Sequence, residues 1–462
     1  SFPTRRSSDL YYIVSNMEPF TFHYSKNLQK IEIDGSLVPG RIKALCLKLI
    51  SLKKLDICHL FALFKPSLPM VLEHIQRALQ INHVTRFRLF SYQDSNDHIP
   101  NFSKSEPLQL ETILVTLLST RCITEILSNH IKFPELKKLE FVFPNFLEAV
   151  PSHFSYQCLE NLAKFEHLKE FTFSAEVIEM DLKLFLRNIK FPSSLESLYM
   201  AISMKNYFKI YCDSKKDDPE GNEAMEHFVI EISRLFDLKR LNLLFYTEAA
   251  FEKSHISFFQ AILQNLLKLE SIDLSLRTQW AYIHCVFDFE SLYDTCLSSL
   301  KSLESISITC REILIPKTMN HYLDSYKRLT FSTDNTTIKP SGKTNFNAIL
   351  NRSLNLEIFK STITENLGRR ELKARINHLK ELYGLTELLM KLTVKKGDDD
   401  LIISLVQNLV SLPHLRTIDL YFSNFVLKPE SQNEIKNLIG LDMYKKFVLI
   451  FHNVTIGKPF FS

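Results

Sequence analysis

Several short stretches of this chain carry residue types that could do chemistry. Ser341-Gly342-Lys343-Thr344 ends like a phosphate-binding loop. Such a loop needs glycines, so that its backbone N–H groups can wrap a phosphate. Here Thr337 stands five residues before Gly342, and Pro340 precedes the turn. Without the cradle the motif has no mechanism. Asp398-Asp399-Asp400 could gather a cation. Acids just before an apolar run of helical period read better as a helix start, where carboxylates meet the positive end of the dipole. The eight cysteines (46, 58, 122, 158, 212, 285, 296 and 310) include no C-x-x-C pair and no histidine at zinc-ligand spacing. Cys46, Cys158 and Cys296 sit in apolar, helix-like runs and are expected as reduced, buried thiols. Trp280 is the one tryptophan, and it reads as a rim or turn aromatic. No H-E-x-x-H, G-x-S-x-G or kinase signature occurs. The expectation is a protein with no catalytic residue, no metal and no cofactor.

Composition narrows the class. Apolar residues at 45% and charged residues at 23% describe a folded chain rather than a disordered one. Only 9 glycines in 462 residues argue against Gly-rich loops and multi-hairpin β folds. A net charge of +4, with lysine and arginine interleaved with acids, lacks the basic stripe that nucleic acid requires. No run reaches the roughly 18 apolar residues of a membrane span. The expected setting is cytoplasmic, with nuclear as the alternative.

The elements that would position a site come from a repeat. Apolar, two residues, apolar, one residue, apolar recurs in ELKKLEF (Leu136, Leu139, Phe141), HLKEFTF (Leu168), SLESLYM (Leu195) and DLKRLNL (Leu238). It continues in KLESIDL (Leu269), SLESISI (Leu303) and HLRTIDL (Leu415). Weaker copies are anchored at Leu28, Leu52, Val84, Tyr326, Leu356, Leu389 and Tyr444. Most steps between anchors fall between 23 and 34 residues. The last three motif positions alternate, as in a short strand with one buried face. Between strands lie stretches of helical period, at 154–165, 223–235, 258–266 and 399–412. The heptad also suits an amphipathic helix, so an all-helical array is the rival reading. The Ile, Phe, Thr, Tyr and Ser at strand positions weigh against it. One strand and one helix cannot cover their own apolar side; stacked units can.

On these motifs the chain resembles the leucine-rich repeat proteins, nearest to the ribonuclease-inhibitor-like kind, over about residues 28–450. The asparagine or cysteine that usually follows the strand is mostly missing; Asn424 and Cys310 are the nearest candidates. The resemblance implies an α/β solenoid, or horseshoe, of about 14 irregular repeats, with parallel strands on the concave face and helices on the convex face. The array is expected over residues 11–450. Two long steps predict surface insertions, at 91–107 and 211–224, and residues 451–462 would be a terminal strand, a cap or a truncation.

The opening SFPTRRSSDL resembles the in-frame translation of a common sequencing-library adapter. It is expected to carry no function and to leave the native N-terminus unknown.

With no chemistry found, the candidate surface is the concave face. Its strand positions are Arg86 and Arg88, Lys138 and Glu140, Glu170 and Thr172, Ser197 and Tyr199, and Arg240 and Asn242. Ser271 and Asp273, Ser305 and Ser307, Arg328 and Thr330, Lys391 and Thr393, and Thr417, Asp419 and Tyr421 complete it. Scattered arginine and tyrosine on a polar background suit a protein partner. The expected function is a non-catalytic protein–protein interaction scaffold, with no nucleic acid, membrane or small-molecule partner. Two alternatives remain: a substrate-receptor subunit of a ubiquitin ligase of the F-box type, its adaptor module lying upstream, or the regulatory repeats of an enzyme whose catalytic domain lies there.

Overall fold

The computed structural model describes residues 11–14, 30–34, 57–62, 85–91, 102–104, 106–116, 121–143, 155–175, 181–203, 219–247, 255–278, 286–310, 312–314, 323, 325–332, 346–394, 398–423, 427–440, 446–451 and 454–456. Residues 1–10, Trp280 and the 341–344 stretch lie outside them. The chain divides into two compact units, residues 1–204 with 214–238, and residues 205–213 with 239–462.

Among the described residues the first unit holds eight strands in chain order: β1 Tyr11–Val14, β2 Lys30–Asp34, β3 Ile57–Ala62, β4 Arg86–Ser91, β5 Thr112–Thr116, β6 Lys138–Val142, β7 Glu170–Ala175 and β8 Ser197–Ser203. Each pairs with the next, and every pairing is parallel. Helical segments stand between them: α1 Arg121–Ser128, a 3₁₀ helix at Tyr156–Lys164, α2 Leu182–Asn188 and, after β8, α3 Pro219–Ser233. Parallel neighbours need such a crossover, because a tight turn cannot bring the chain back to its starting end. The expected helix at 154–165 is therefore present as a 3₁₀ helix.

The second unit repeats the scheme. β9 Arg240–Thr247, α4 His255–Leu263, β10 Ser271–Thr278, β11 Val286–Asp288, α5 Phe289–Thr295 and β12 Ser305–Thr309 come first. Then follow β13 Glu312–Leu314, β14 Arg328–Ser332, α6 Asn347–Leu350, β15 Ile358–Asn366, α7 Arg369–Lys380, β16 Glu387–Thr393 and α8 Asp399–Ser411. β17 Thr417–Ser423, α9 Pro429–Gly440, β18 Lys446–Phe451 and β19 Val454–Ile456 complete it. A parallel ladder joins β9, β10, β12, β14, β15, β16, β17 and β18 in that order. β19 folds back antiparallel on β18, and β11 pairs with β13 apart from the main sheet. The fold class is thus α/β with parallel strands, and the all-helical rival fails. Ile272 pairs with Ile306, and Ile418 with Leu388, all on neighbouring strands.

Pairing also corrects the phase of the repeat. Cys58 lies opposite Ile31 and Phe87, so the third strand's motif begins at Leu55 and not at Leu52. Leu388 lies opposite Phe359 and Ile418, which moves that anchor from Leu389 to Leu385. Between Val84 and Leu136 a rung had gone unread: Leu110, Ile113 and Val115 are buried, and β5 pairs with both neighbours. The long step from Val84 to Leu136 therefore spans two rungs, and most of the expected insertion at 91–107 lies outside the described residues. Ahead of β5 a 3₁₀ turn at Phe102–Lys104 sets Phe102 edge-on against Phe133 at 5.1 Å.

Among the described turns into strands one form recurs. The anchor N–H donates to the carbonyl three residues back, as in Leu168 to Phe165, Leu238 to Leu235 and Leu303 to Leu300. In many of them the carbonyl of the residue just before the strand then accepts two N–H groups from the next rung. Lys137 accepts from Lys169 and Glu170, and Glu270 from Glu304 and Ser305. The working pattern is therefore one turn longer than the motif, L-x-x-L-x-x-L-x-L, and it satisfies backbone groups that burial would otherwise strand.

Phenylalanine fills the layer between strands and helices. Phe173 meets Phe185 at 4.8 Å in the first unit, and Phe331 meets Phe346 at 5.0 Å and Phe289 at 5.4 Å in the second. Tilted and edge-on pairs of this kind add to area burial. In the second unit a buried ionic pair sits in this layer. β15 carries a register shift between Lys360 and Thr364. Beside it Glu365 and Arg375 are 1% and 0% exposed, joined by two hydrogen bonds of 2.8 and 2.7 Å.

Candidate interaction surface

Residues that alternate with the buried ones line the face of each sheet that turns away from the helices. In the first unit they form two rows. Arg86, Thr112, Lys138, Glu170 and Ser197 lie opposite one another across β4 to β8. Arg88, Leu114, Glu140, Thr172 and Tyr199 form the second row. Lys138 clamps both nearby acids, at 2.7 Å from Glu140 and 3.2 Å from Glu170. The hydrogen bond to Glu140 is the largest cause that raises the Lys138 pKa, so its charge is held.

In the second unit the first row reads Arg240, Ser271, Ser305, Arg328, Ile358, Glu387, Thr417. The second reads Asn242, Asp273, Ser307, Thr330, Lys360, Leu389, Asp419. Asn242 Nδ2 donates to Asp273 Oδ2 at 3.3 Å. Burial raises the Asp273 pKa, partly offset by a hydrogen bond from Ser307 and the charge of Arg277. Lys360 pairs with Glu387 at 2.5 Å, and the Lys391 ammonium stands 5.7 Å from the centre of the Tyr421 ring.

The structure thus sorts the sequence-derived surface residues into groups. Arg86, Arg88, Lys138, Glu140 and Tyr199 belong to the first unit. Arg240, Asn242, Ser271, Asp273, Ser305, Ser307 and Arg328 form a contiguous block on β9, β10, β12 and β14. Asp419 and Tyr421 stand further along, on β17. A comparison with protein-family models finds no match to this chain, and neither does a comparison with curated proteins.

Sequence reasoning missed a groove at the turn edge of the second unit. It has a volume of about 920 Å³ and is lined by Lys327, Glu357, Glu381, Tyr383, His414 and Arg416, among others. Exposed apolar residues in the turn pattern were the available signal: Leu354 is 47% and Tyr383 65% exposed. Lys327 there bonds Glu304 at 2.8 Å.

The other chemistry-bearing residues are engaged internally. Arg369 holds Asp398 at 2.5 Å and Asp400 at 2.8 Å, while Asp399 accepts the Lys428 N–H at 2.9 Å. Asp399 and Asp400 occupy the first turn of α8, as helix-start acids should. Among the described residues no group of three His, Cys, Asp or Glu could hold a metal ion. Cys158, Cys296 and Cys310 are buried, and none is in a disulfide. Burial pushes the Cys158 thiol up to about 11. Among the described residues no helix is long and apolar enough to cross a membrane.

Proposed function

We propose that this chain is a non-catalytic interaction scaffold of the leucine-rich-repeat kind, which holds a protein partner on the concave, helix-free face of its strands. The register of the surface rows supports this reading most. Backbone pairing lines polar side chains across consecutive rungs, so a partner meets a graded surface instead of isolated groups. Many of these side chains are tied to one another, as in Asn242–Asp273 and Lys138–Glu140, and so are preorganised at low entropic cost. The partner class is a folded protein or a peptide segment, and the setting is cytoplasmic.

Paired variants test it. Arg240→Glu and Asp419→Lys change the strand face, whereas Gln264→Lys and Gln407→Lys change exposed positions on the helix side. Affinity capture should lose the same protein with the first pair and keep it with the second. Capture that survives the face variants and fails with the helix-side variants would place the interface elsewhere.

A further inference from the structure

The block of strands β9, β10, β12 and β14 has a composition unlike the rest of the face. Between Arg240 and Arg328 in the first row stand Ser271 and Ser305. Behind them lie Ser307 and Thr330, then Thr309 and Ser332. All six hydroxyl residues are half-buried, and both arginines are exposed. Small side chains between two long ones leave a shallow, donor-lined trough with a cation at either end. Its one carboxylate, Asp273, is engaged by Asn242 and Ser307 and feels the charge of Arg277. In the turns below, Lys327 holds Glu304; Glu270 is exposed one residue before Ser271. On the strand face the block carries Arg240, Arg277 and Arg328 against Asp273, an excess of positive charge.

We propose that this trough binds an extended acidic peptide segment lying across the strands, its carboxylates on Arg240 and Arg328. This deepens the scaffold reading above and rests on it. Three inter-strand steps separate the two arginines, about 14 Å at the usual strand spacing. An extended peptide covers that span in about four residues. Acids at positions i and i+4 therefore reach both guanidinium groups, which can each grip a carboxylate through two hydrogen bonds. The serine and threonine hydroxyls lie beneath the intervening backbone and can hydrogen-bond its carbonyl and N–H groups.

The test uses the full chain and fluorescently labelled Gly/Ser peptides read by anisotropy. One peptide carries two glutamates four residues apart, one carries them adjacent, and one carries lysines in their place. The first should bind most tightly and the lysine peptide least. Arg240→Glu and Arg328→Glu should each weaken the first by about tenfold or more, which is about 1.4 kcal/mol. Arg240→Lys and Arg328→Lys should keep much of the binding, and Gln407→Lys on the helix side should leave it unchanged. Equal binding of the lysine and glutamate peptides by the unaltered protein would overturn the proposal, whatever the variants do. So would binding of a single-stranded oligonucleotide in preference to any peptide.

Ser305→Arg separates this proposal from the broader one. If it abolishes partner capture while glutamate peptides never bind, the face stands and the acidic class falls. If partner capture survives Ser305→Arg but is lost with Arg240→Glu and Asp419→Lys, the face stands and the trough falls.

Discussion

The Arg375 guanidinium and the Glu365 carboxylate face each other in a two-bond fork inside the second unit, with almost no exposure. Both groups have further partners. Arg375 Nε donates to Asn347 Oδ1 at 2.6 Å, and Glu365 Oε2 accepts the Phe346 N–H at 2.8 Å. The cluster links α6, α7 and the shifted register of β15. A charge this deep is tolerable only while every partner is in place.

Arg375→Ala should therefore cost about 3–5 kcal/mol, since it leaves a buried carboxylate without its counter-ion. Arg375→Met with Glu365→Leu should cost less than the single change, because it removes both charges. Urea unfolding of the full chain, followed by a probe in the second unit, gives both numbers. A single variant as stable as the parent would show that the pair is not closed in solution.

The rung at β5 makes a second prediction. Ile113 is 1% exposed and Val115 0%, whereas Gln109 is exposed. Ile113→Ala should cost about 2–4 kcal/mol, as expected for a core cavity, and Gln109→Ala almost nothing. If both are neutral, the segment is a tolerated insertion after all and the strand does not form.

Asp273 makes a prediction about pH. Its folded pKa is raised from 3.8 by burial, so near that pH the folded state binds more protons than the unfolded state. Stability contributed by this group is then present at low pH and falls as pH rises from about 3.8 through the folded value. Asp273→Asn keeps the shape and removes the titration. It should be at least as stable as the parent at neutral pH, and the gap should close in acid. Unfolding curves across the acid range decide this; a variant clearly less stable at neutral pH would mean that Asn242, Ser307 and Arg277 outweigh the desolvation.

Cys158 should resist alkylation in the folded protein. Its thiol is pushed up to about 11, so almost no thiolate is present at pH 8, and the side chain is 4% exposed. Peptide mapping after iodoacetamide should find it modified only once denaturant is added. Labelling as fast as in the unfolded chain would contradict its burial.

Reading the strands from sequence worked best where the motif stood alone. At Leu269 and Leu303 the apolar positions admit one phase, and both strands lie where expected. It slipped at Leu52, because Leu52, Leu55, Ile57, Cys58 and Leu60 satisfy the pattern in two phases three residues apart. The turn leucine one step upstream imitates the first motif position. A run of apolar residues from Leu388 to Met390 blurred the phase at β16 in the same way. β5 was overlooked because polar residues precede it and suggested a loop. The surface residues followed from alternation alone, since side chains at every second position share a face. The buried Glu365–Arg375 pair gave no signal: ten residues apart, in a strand and a helix, they read as two solvated charges.

Local pattern thus determined the recurring strand-and-helix unit and, where its phase was read correctly, which side chains of a strand share a face, because alternation and helical period are properties of a few consecutive residues. Which rung sits beside which, at what register, and which charges end up buried were settled only in the tertiary structure. Those outcomes depend on hydrogen bonds and contacts between residues far apart in the chain, which carry no mark at either position.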